Sequence, residues 1–287
     1  MLYFIGFAIV VGSVLGGYMP HGDIGVLNQP LEVLIILGAA IGAYVTANPG
    51  WVLKGFLSHF SRVMKGNPHS KESYLELLTL MYTIFRLAKA KGMLALESHL
   101  EEPEESAIFQ PFPIFLSNHH AVDFMCDYLR LMTMGTDNPH ELEALLDEDI
   151  ETHHNEAHTI AHSITAMSDG LPAFGIVAAV LGVIVTMGSI SEPPEVLGGL
   201  IGAALVGTFL GILLAYGFVG PIGTSLGAYA DADTKYFNCM KAGILAHLHG
   251  YPPAVSIEFA RKTLFSFERP GFAELEEAVQ DAPSITT

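Results

Sequence analysis

Apolar residues along this chain collect into four runs that are almost free of charge: approximately Leu2–Met19, Val33–Ala47, Leu171–Ile190 and Val196–Leu226. A helix needs about 20 mostly apolar residues to cross a bilayer. The first, third and fourth runs meet that requirement, and the second meets it once Leu31 and the weakly polar Thr46–Asn48 are added. The fourth is long enough to tilt or to project beyond the hydrocarbon. Between the second and third runs the pattern becomes amphipathic with helical spacing. Ser70–Lys91 carries Leu75, Leu77/Leu78, Tyr82, Phe85 and Ala88, and Gly92 is placed to end or bend it. Met93–Leu100 before Pro103 predicts a second, short helix. His119–Met134 has Val122, Met125/Cys126, Leu129 and Met132 on one face. Asn138-Pro139 opens a long helix, with Glu141 and Glu143 at its positive end. Its stripe of Leu142, Leu145/Leu146, Ile150, Ala157, Ile160 and Ile164 leads to Gly170 and the third run. No alternating strand pattern stands out.

Charge gives this pattern an orientation. All 13 Lys and Arg residues fall within Lys54–Arg130 and Lys235–Arg269. The links Pro20–Pro30 and Ser191–Glu195 contain none. The positive-inside rule therefore places both links outside and both termini inside, with the basic blocks in the cytoplasm. The expected fold is all-α and membrane-integral, with four transmembrane helices in a two-plus-two arrangement, a large helical cytoplasmic loop and a helical C-terminal tail. The corresponding segments are 1–49 for the first two spans, 50–170 for the cytoplasmic domain, 171–226 for spans three and four, and 227–287 for the tail. The N-terminus lacks the basic flank and cleavage site of a signal peptide, so the first span is expected to be retained.

Mean hydropathy is +0.42, yet the formal net charge is -17. Of the 30 acidic residues, only Asp23, Glu32, Glu192 and Glu195 lie outside or at the outer edge of the membrane on this topology. An acidic cytoplasmic face argues against nucleic acid, which requires basic surface. Cys126 and Cys239, both cytoplasmic, read as packed thiols rather than a disulfide.

Within the runs as bounded here there is no Asp, Glu, Lys, Arg or His. Ion carriers normally need an ionisable group or a ring of polar ligands in the membrane. The polar candidates are Thr186 in the third run, Thr208 and Tyr216 in the fourth, and Thr224 and Ser225 near its inner end. A hydroxyl can line a wet path, or it can simply bond to a carbonyl of its own helix. If protons cross here, a partner has to supply the acid. Small residues are dense in the last two runs (Gly175, Ala178, Ala179, Gly182, Gly199, Gly202, Gly207, Gly211), as close helix packing in a bilayer requires. Pro172 and Pro221 stand where each removes a helical hydrogen bond and introduces a natural kink.

A histidine group competes for attention. His154, His158 and His162 repeat at i, i+4, i+8, with His153 alongside and Asp149 and Glu151 nearby. That spacing can hold zinc or another transition metal, or respond to pH. The catalytic His-Glu-x-x-His pattern is absent, and a polar helix face near the inner membrane surface accounts for the residues. No metal and no cofactor are expected.

Leu171-Pro-Ala-Phe-Gly-Ile-Val-Ala-Ala-Val, Val206-Gly-Thr-Phe-Leu-Gly-Ile-Leu-Leu-Ala-Tyr-Gly and Glu258-Phe-Ala-Arg-Lys-Thr-Leu-Phe-Ser-Phe-Glu-Arg-Pro resemble the MotA family, the larger stator subunits of bacterial flagellar motors. Asp127-Tyr-Leu-Arg-Leu and Glu141-Leu-Glu-Ala-Leu-Leu-Asp-Glu fit as well, so the resemblance covers nearly the whole chain. It implies a homo-oligomeric ring, a pentamer, in the inner membrane around the helices of MotB, whose Asp carries the proton and which is anchored to peptidoglycan. It also implies that the cytoplasmic loop pushes on the rotor protein FliG. By motif match the rotor-facing charges are Lys89 and Glu97, flanking Gly92-Met93, with Arg86 and Lys91 able to share the task. The family usually has Arg where this chain has Lys89, which keeps the charge but loses the planar fork; read from its residues alone, the group is simply a solvated helix face. Pro172 and Pro221 match the family's coupling pair, and Thr208 its pore-facing threonine. Ala179 stands where sodium-driven relatives tend to have Thr, which favours protons.

Three classes of function follow. The first is a proton-driven stator. The second is an energiser of the ExbB/TolQ type acting on an outer-membrane process, whose members typically have three spans. The third is a membrane metalloenzyme on the histidine helix. No residue is arranged for covalent chemistry, so the expectation is that the chain is not an enzyme.

Overall fold

The computed structural model describes residues 2–67 and 69–282, and among them every regular element is helical. The first elements are α1 (Leu2–Tyr18), the single turn α2 (Ile24–Leu27), α3 (Pro30–Ala47) and α4 (Gly50–Lys65). Then come α5 (Lys71–Lys91), a 3-10 turn Met93–Leu96, α6 (Glu97–Glu101), α7 (Pro113–Leu116) and α8 (His119–Thr133). The long α9 (Pro139–Gly188) and α10 (Pro194–Leu214) follow, then a π-helical turn Ala215–Val219 and α11 (Gly220–Leu248). The chain ends with α12 (Pro253–Lys262) and α13 (Phe272–Gln280).

Two compact units emerge. One takes in the described residues up to Asn67 together with Glu156–Ala230, and the other takes in His69 to Asn155 and the residues from Asp231 on. In the first unit, three helical runs are long and apolar enough to cross a membrane: Ile24–Ala47 and those within Pro139–Gly188 and Pro194–Leu248. The apolar α1 is shorter than those. Ile176, Val180, Val183 and Ile184 leave large apolar surfaces exposed along α9. In water such a band would be an aggregation site; in lipid it costs nothing. α4 also belongs to this unit: Val63 is buried with Ala161, Ile164 and Leu226, and Gly55 lies against Ile160.

The second unit has a conventional core. Tyr74, Leu77, Leu78, Met81, Ile84 and Phe85 of α5 are fully or almost fully buried against α8, the start of α9, α11 and α12. Truncating any of these large side chains to Ala costs about 2–5 kcal/mol. Ser70 caps α5: the Ser73 N–H donates to Ser70 Oγ at 3.2 Å and the Ser70 N–H to Ser73 Oγ at 2.9 Å. Below the cap, buried His69 Nε2 lies 2.7 Å from Asp233 Oδ1, and its ring stacks on Tyr236 at 4.2 Å. The tail is locked by Arg261, which donates to both carboxylate oxygens of Glu258 at 2.8 Å and to the Pro270 carbonyl at 3.0 Å. Cys126 and Cys239 are both buried and free, as packed thiols should be, and burial pushes the Cys126 thiol up to about 12.

Candidate functional site

The small residues of α9 and α10 bring the two backbones into contact. A Cβ on Gly175 would lie 2.9 Å from the Gly207 carbonyl oxygen, and one on Gly211 would lie 2.8 Å from that of Leu171. One on Gly182 would meet Ala204 Cβ at 2.7 Å. Intramolecular packing therefore accounts for these glycines. Thr208 sits half-buried in this seam, with its Cα 3.4 Å from where a Gly175 side chain would begin. The backbone N of the half-buried Ala179 lies 3.3 Å from the Gly207 Cβ direction. Thr186 is buried and donates to the Gly182 carbonyl of its own helix at 2.8 Å, which uses its one proton and leaves its oxygen able to accept. Tyr216 is 65% exposed and lines a cavity of 740 Å³ together with Pro221, Tyr3 and Phe7.

One carboxylate at the outer edge of the second span enters the helix packing. Pro30 at the first helical position starts α3 early, so the apolar helical run extends over Ile24–Ala47 and takes Glu32 with it. Its Oε2 is buried without a hydrogen-bond partner and lies 3.2 Å from the Gly207 Cβ direction. Glu32, Ala178 and Ala179 thus converge on Gly207. A Glu one residue outside an apolar run, two residues after Pro30, was the available signal.

The two prolines are joined. Pro172 lies inside α9 and offers no N–H to the Ser168 carbonyl. The Ser168 side chain, 1% exposed, instead donates to the Ala215 carbonyl at 2.8 Å. Ala215 is the first residue of the π turn, and the Gly220 N–H closes that turn on the same carbonyl. The turn ends at Val219, two residues before Pro221, whose missing N–H would break a regular α pattern. π turns inside helices recur at functional positions. A Cβ on Gly220 would stand 3.0 Å from the Ala215 oxygen and 3.1 Å from Ser168 Oγ, so only glycine fits this joint without movement.

In the second unit, α5 stops at Gly92, which has φ +86° and an N–H donating to the Ala88 carbonyl at 2.8 Å. The left-handed region favours glycine there. Lys89 and Lys91 are exposed on the last turn of α5, where the helix dipole favours cations. Beyond the turn, Leu94 is 72% exposed and Glu97 is exposed at the start of α6. Arg86 lies half-buried, with its guanidinium 5.5 Å above the Tyr82 ring. The predicted charges therefore cluster around one apolar-tipped turn, and Arg86 packs at its base.

His154 Nδ1 lies 2.8 Å from Thr234 Oγ1, and the His158 ring packs near Gly227. His153, alongside the stripe, faces Phe237 and His120.

Among the described residues, a wholly helical architecture with membrane-length apolar helices, a glycine-packed helix pair and a proline-bearing joint defines a polytopic α-helical membrane protein. Residues 117–238 match the MotA/TolQ/ExbB proton channel family, and residues 4–92 match the motility protein A N-terminal family. Over 281 residues the chain is 46% identical to motility protein A of Salmonella typhimurium, covering 98% of this chain and 95% of that one. It is 36% identical over 278 residues to the chemotaxis protein LafT of Vibrio parahaemolyticus, covering 96% and 98%. The flagellar MotAB stator complex from Bacillus subtilis superposes with a TM-score of 0.74 at 25% identity, covering 92% of this chain and 94% of that one. The chain belongs to the motility protein A family, the stator subunits of the flagellar motor.

Proposed function

We propose that this chain is the A subunit of a proton-driven stator in the bacterial inner membrane. In this reading both termini are cytoplasmic, α1 serves as the fourth span of a two-plus-two arrangement, and five copies surround the membrane helices of a MotB-type partner. The observation that carries the coupling role is the shared joint of Pro172 and Pro221 through Ser168 and the π turn at Ala215. A protonation change on the partner's acid would move one kink, and the hydrogen-bonded joint would pass that motion to the other. Thr208, Ala179, Thr186 and Tyr216 border the ion path. Ala179 offers no hydroxyl to sodium, which needs several oxygen ligands. Lys89 and Glu97 push on FliG, with Arg86 and Lys91 supporting them. The chain performs no covalent chemistry.

Deletion of the gene in its native bacterium tests this reading. Cells that keep their flagella but cannot swim are the expected result, with swimming restored by the gene and lost on collapse of the proton gradient. Normal swimming in a strain without a second stator would favour the ExbB/TolQ alternative.

Glu32 adds a prediction. An unpartnered carboxylate among three apolar helices is expensive to keep, and at the outer mouth it concentrates cations. Glu32→Gln keeps the shape and removes the charge. Assembly should be unchanged, while swimming speed falls by about threefold or more, the scale of a lost charge that focuses ions at a mouth. Unaltered speed and proton uptake would assign Glu32 to packing alone.

A further inference from the structure

We propose that the α8–α9 hairpin carries a binding site for a transition-metal dication of the zinc class, with His120 and His153 as its nitrogen ligands. The site is distinct from the i, i+4, i+8 histidine stripe and independent of the stator reading.

The short connection between α8 and α9 folds the two helices back on each other, as the bond from the Tyr128 hydroxyl to the Leu145 carbonyl at 3.2 Å shows. His120, Asp123 and Asp127 follow at i, i+3 and i+7 on α8, and Asp149 and His153 at i and i+4 on α9. All five line one cavity of 170 Å³. The imidazole rings of His120 and His153 are 5.5 Å apart at 46°. Two imidazoles bound to one tetrahedral zinc, with Zn–N near 2.0–2.1 Å, place their ring centres about 5 Å apart. The observed separation therefore needs little adjustment.

The surroundings supply what such a site requires. The His153 ring meets the edge of Phe237 at 5.0 Å, which restrains its orientation. Asp149 accepts from the Tyr128 hydroxyl at 3.0 Å, and Asp127 pairs with Arg130 at 2.7 Å. Those two carboxylates are held in an outer shell, where groups orient ligands and balance charge. Asp123, one turn from His120, lines the same cavity and is the carboxylate that a side-chain adjustment would bring in as third ligand, leaving one position for water. Two nitrogens and one oxygen suit zinc, cobalt, nickel or copper. Calcium and magnesium prefer oxygen alone. A bound ion would clamp α8 to α9.

The full-length protein in detergent is titrated with Zn2+ against a chromophoric chelator, and with Co2+ for its visible spectrum. Wild type should bind one equivalent tightly and give the intense bands of four-coordinate Co2+. His120→Ala and His153→Ala should each raise Kd at least about tenfold, the scale of losing a group that supports a metal, and abolish those bands. His119→Ala, its ring exposed near Glu104, should change neither. Matching thermal unfolding in metal-free buffer verifies that each variant is folded. If the double variant His120→Ala/His153→Ala, folded by that criterion, retains wild-type affinity and spectrum, the site is refuted. Equal losses in His119→Ala would refute it as well, by showing adventitious surface binding only.

Discussion

Pro172→Ala should abolish swimming while leaving the protein as stable as wild type, or more so. Proline inside a helix is about 3 kcal/mol less favourable than alanine, because it removes a hydrogen bond and crowds the preceding turn. Restoring the N–H gives the Ser168 carbonyl its regular partner. The gain will fall below the full figure, because membrane helices already re-satisfy the groups a proline frees. Function should nonetheless be lost. A straightened α9 carries Ser168 away from the Ala215 carbonyl, 2.8 Å from its hydroxyl, and uncouples the kink from the π turn. The checks are swimming-ring diameter, membrane abundance, co-purification with the B-type partner, and thermal unfolding. Immotility with undiminished Tm separates a coupling defect from a folding defect. Normal swimming would remove Pro172 from the coupling path, and immotility with lost assembly would make it structural.

The parts of this molecule that were legible in the sequence are those set by local chemistry. α5 begins one residue after Ser70 and ends at Lys91 because a serine cap and a left-handed glycine are both encoded within a few positions. α8 spans His119–Thr133 and α9 opens at Pro139, following Asn118 and Asn138 whose side chains bond to backbone or neighbour at the first turn. The short helix after Gly92 resolved into a 3-10 turn followed by α6, a difference of hydrogen-bond register that periodicity does not report. α4 escaped separate notice because its charges resemble loop, although its apolar face packs beside Ala161 and Ile164. What was not legible depends on register between distant helices. Ser168 is one serine among many until Ala215 is placed opposite it. Glu32 looks like a boundary marker until Gly207 is brought against it. His120 and His153 are 33 positions apart and meet only through the α8–α9 hairpin.

The second large effect is expected at the Gly92 turn, and it requires two changes at once. Lys89 and Glu97 are both exposed, and an exposed ion pair is worth about 0.2–1 kcal/mol. One lost contact of that size changes an equilibrium by roughly fivefold at most, so Lys89→Ala alone should leave cells swimming. The neighbouring Lys91 and Arg86 also keep the local field positive. Glu97→Lys with Lys89→Ala is different in kind, because it places a repulsive charge opposite whatever attracted Glu97. Repulsion across an interface costs more than a lost attraction and suppresses docking. Stall torque in tethered cells should therefore collapse in the double variant while membrane assembly and proton conductance remain. A compensating charge reversal on the rotor should restore much of it, and that restoration distinguishes a direct contact from damage to the turn. Full torque in the double variant would remove Lys89 and Glu97, and with them this turn, from the rotor contact.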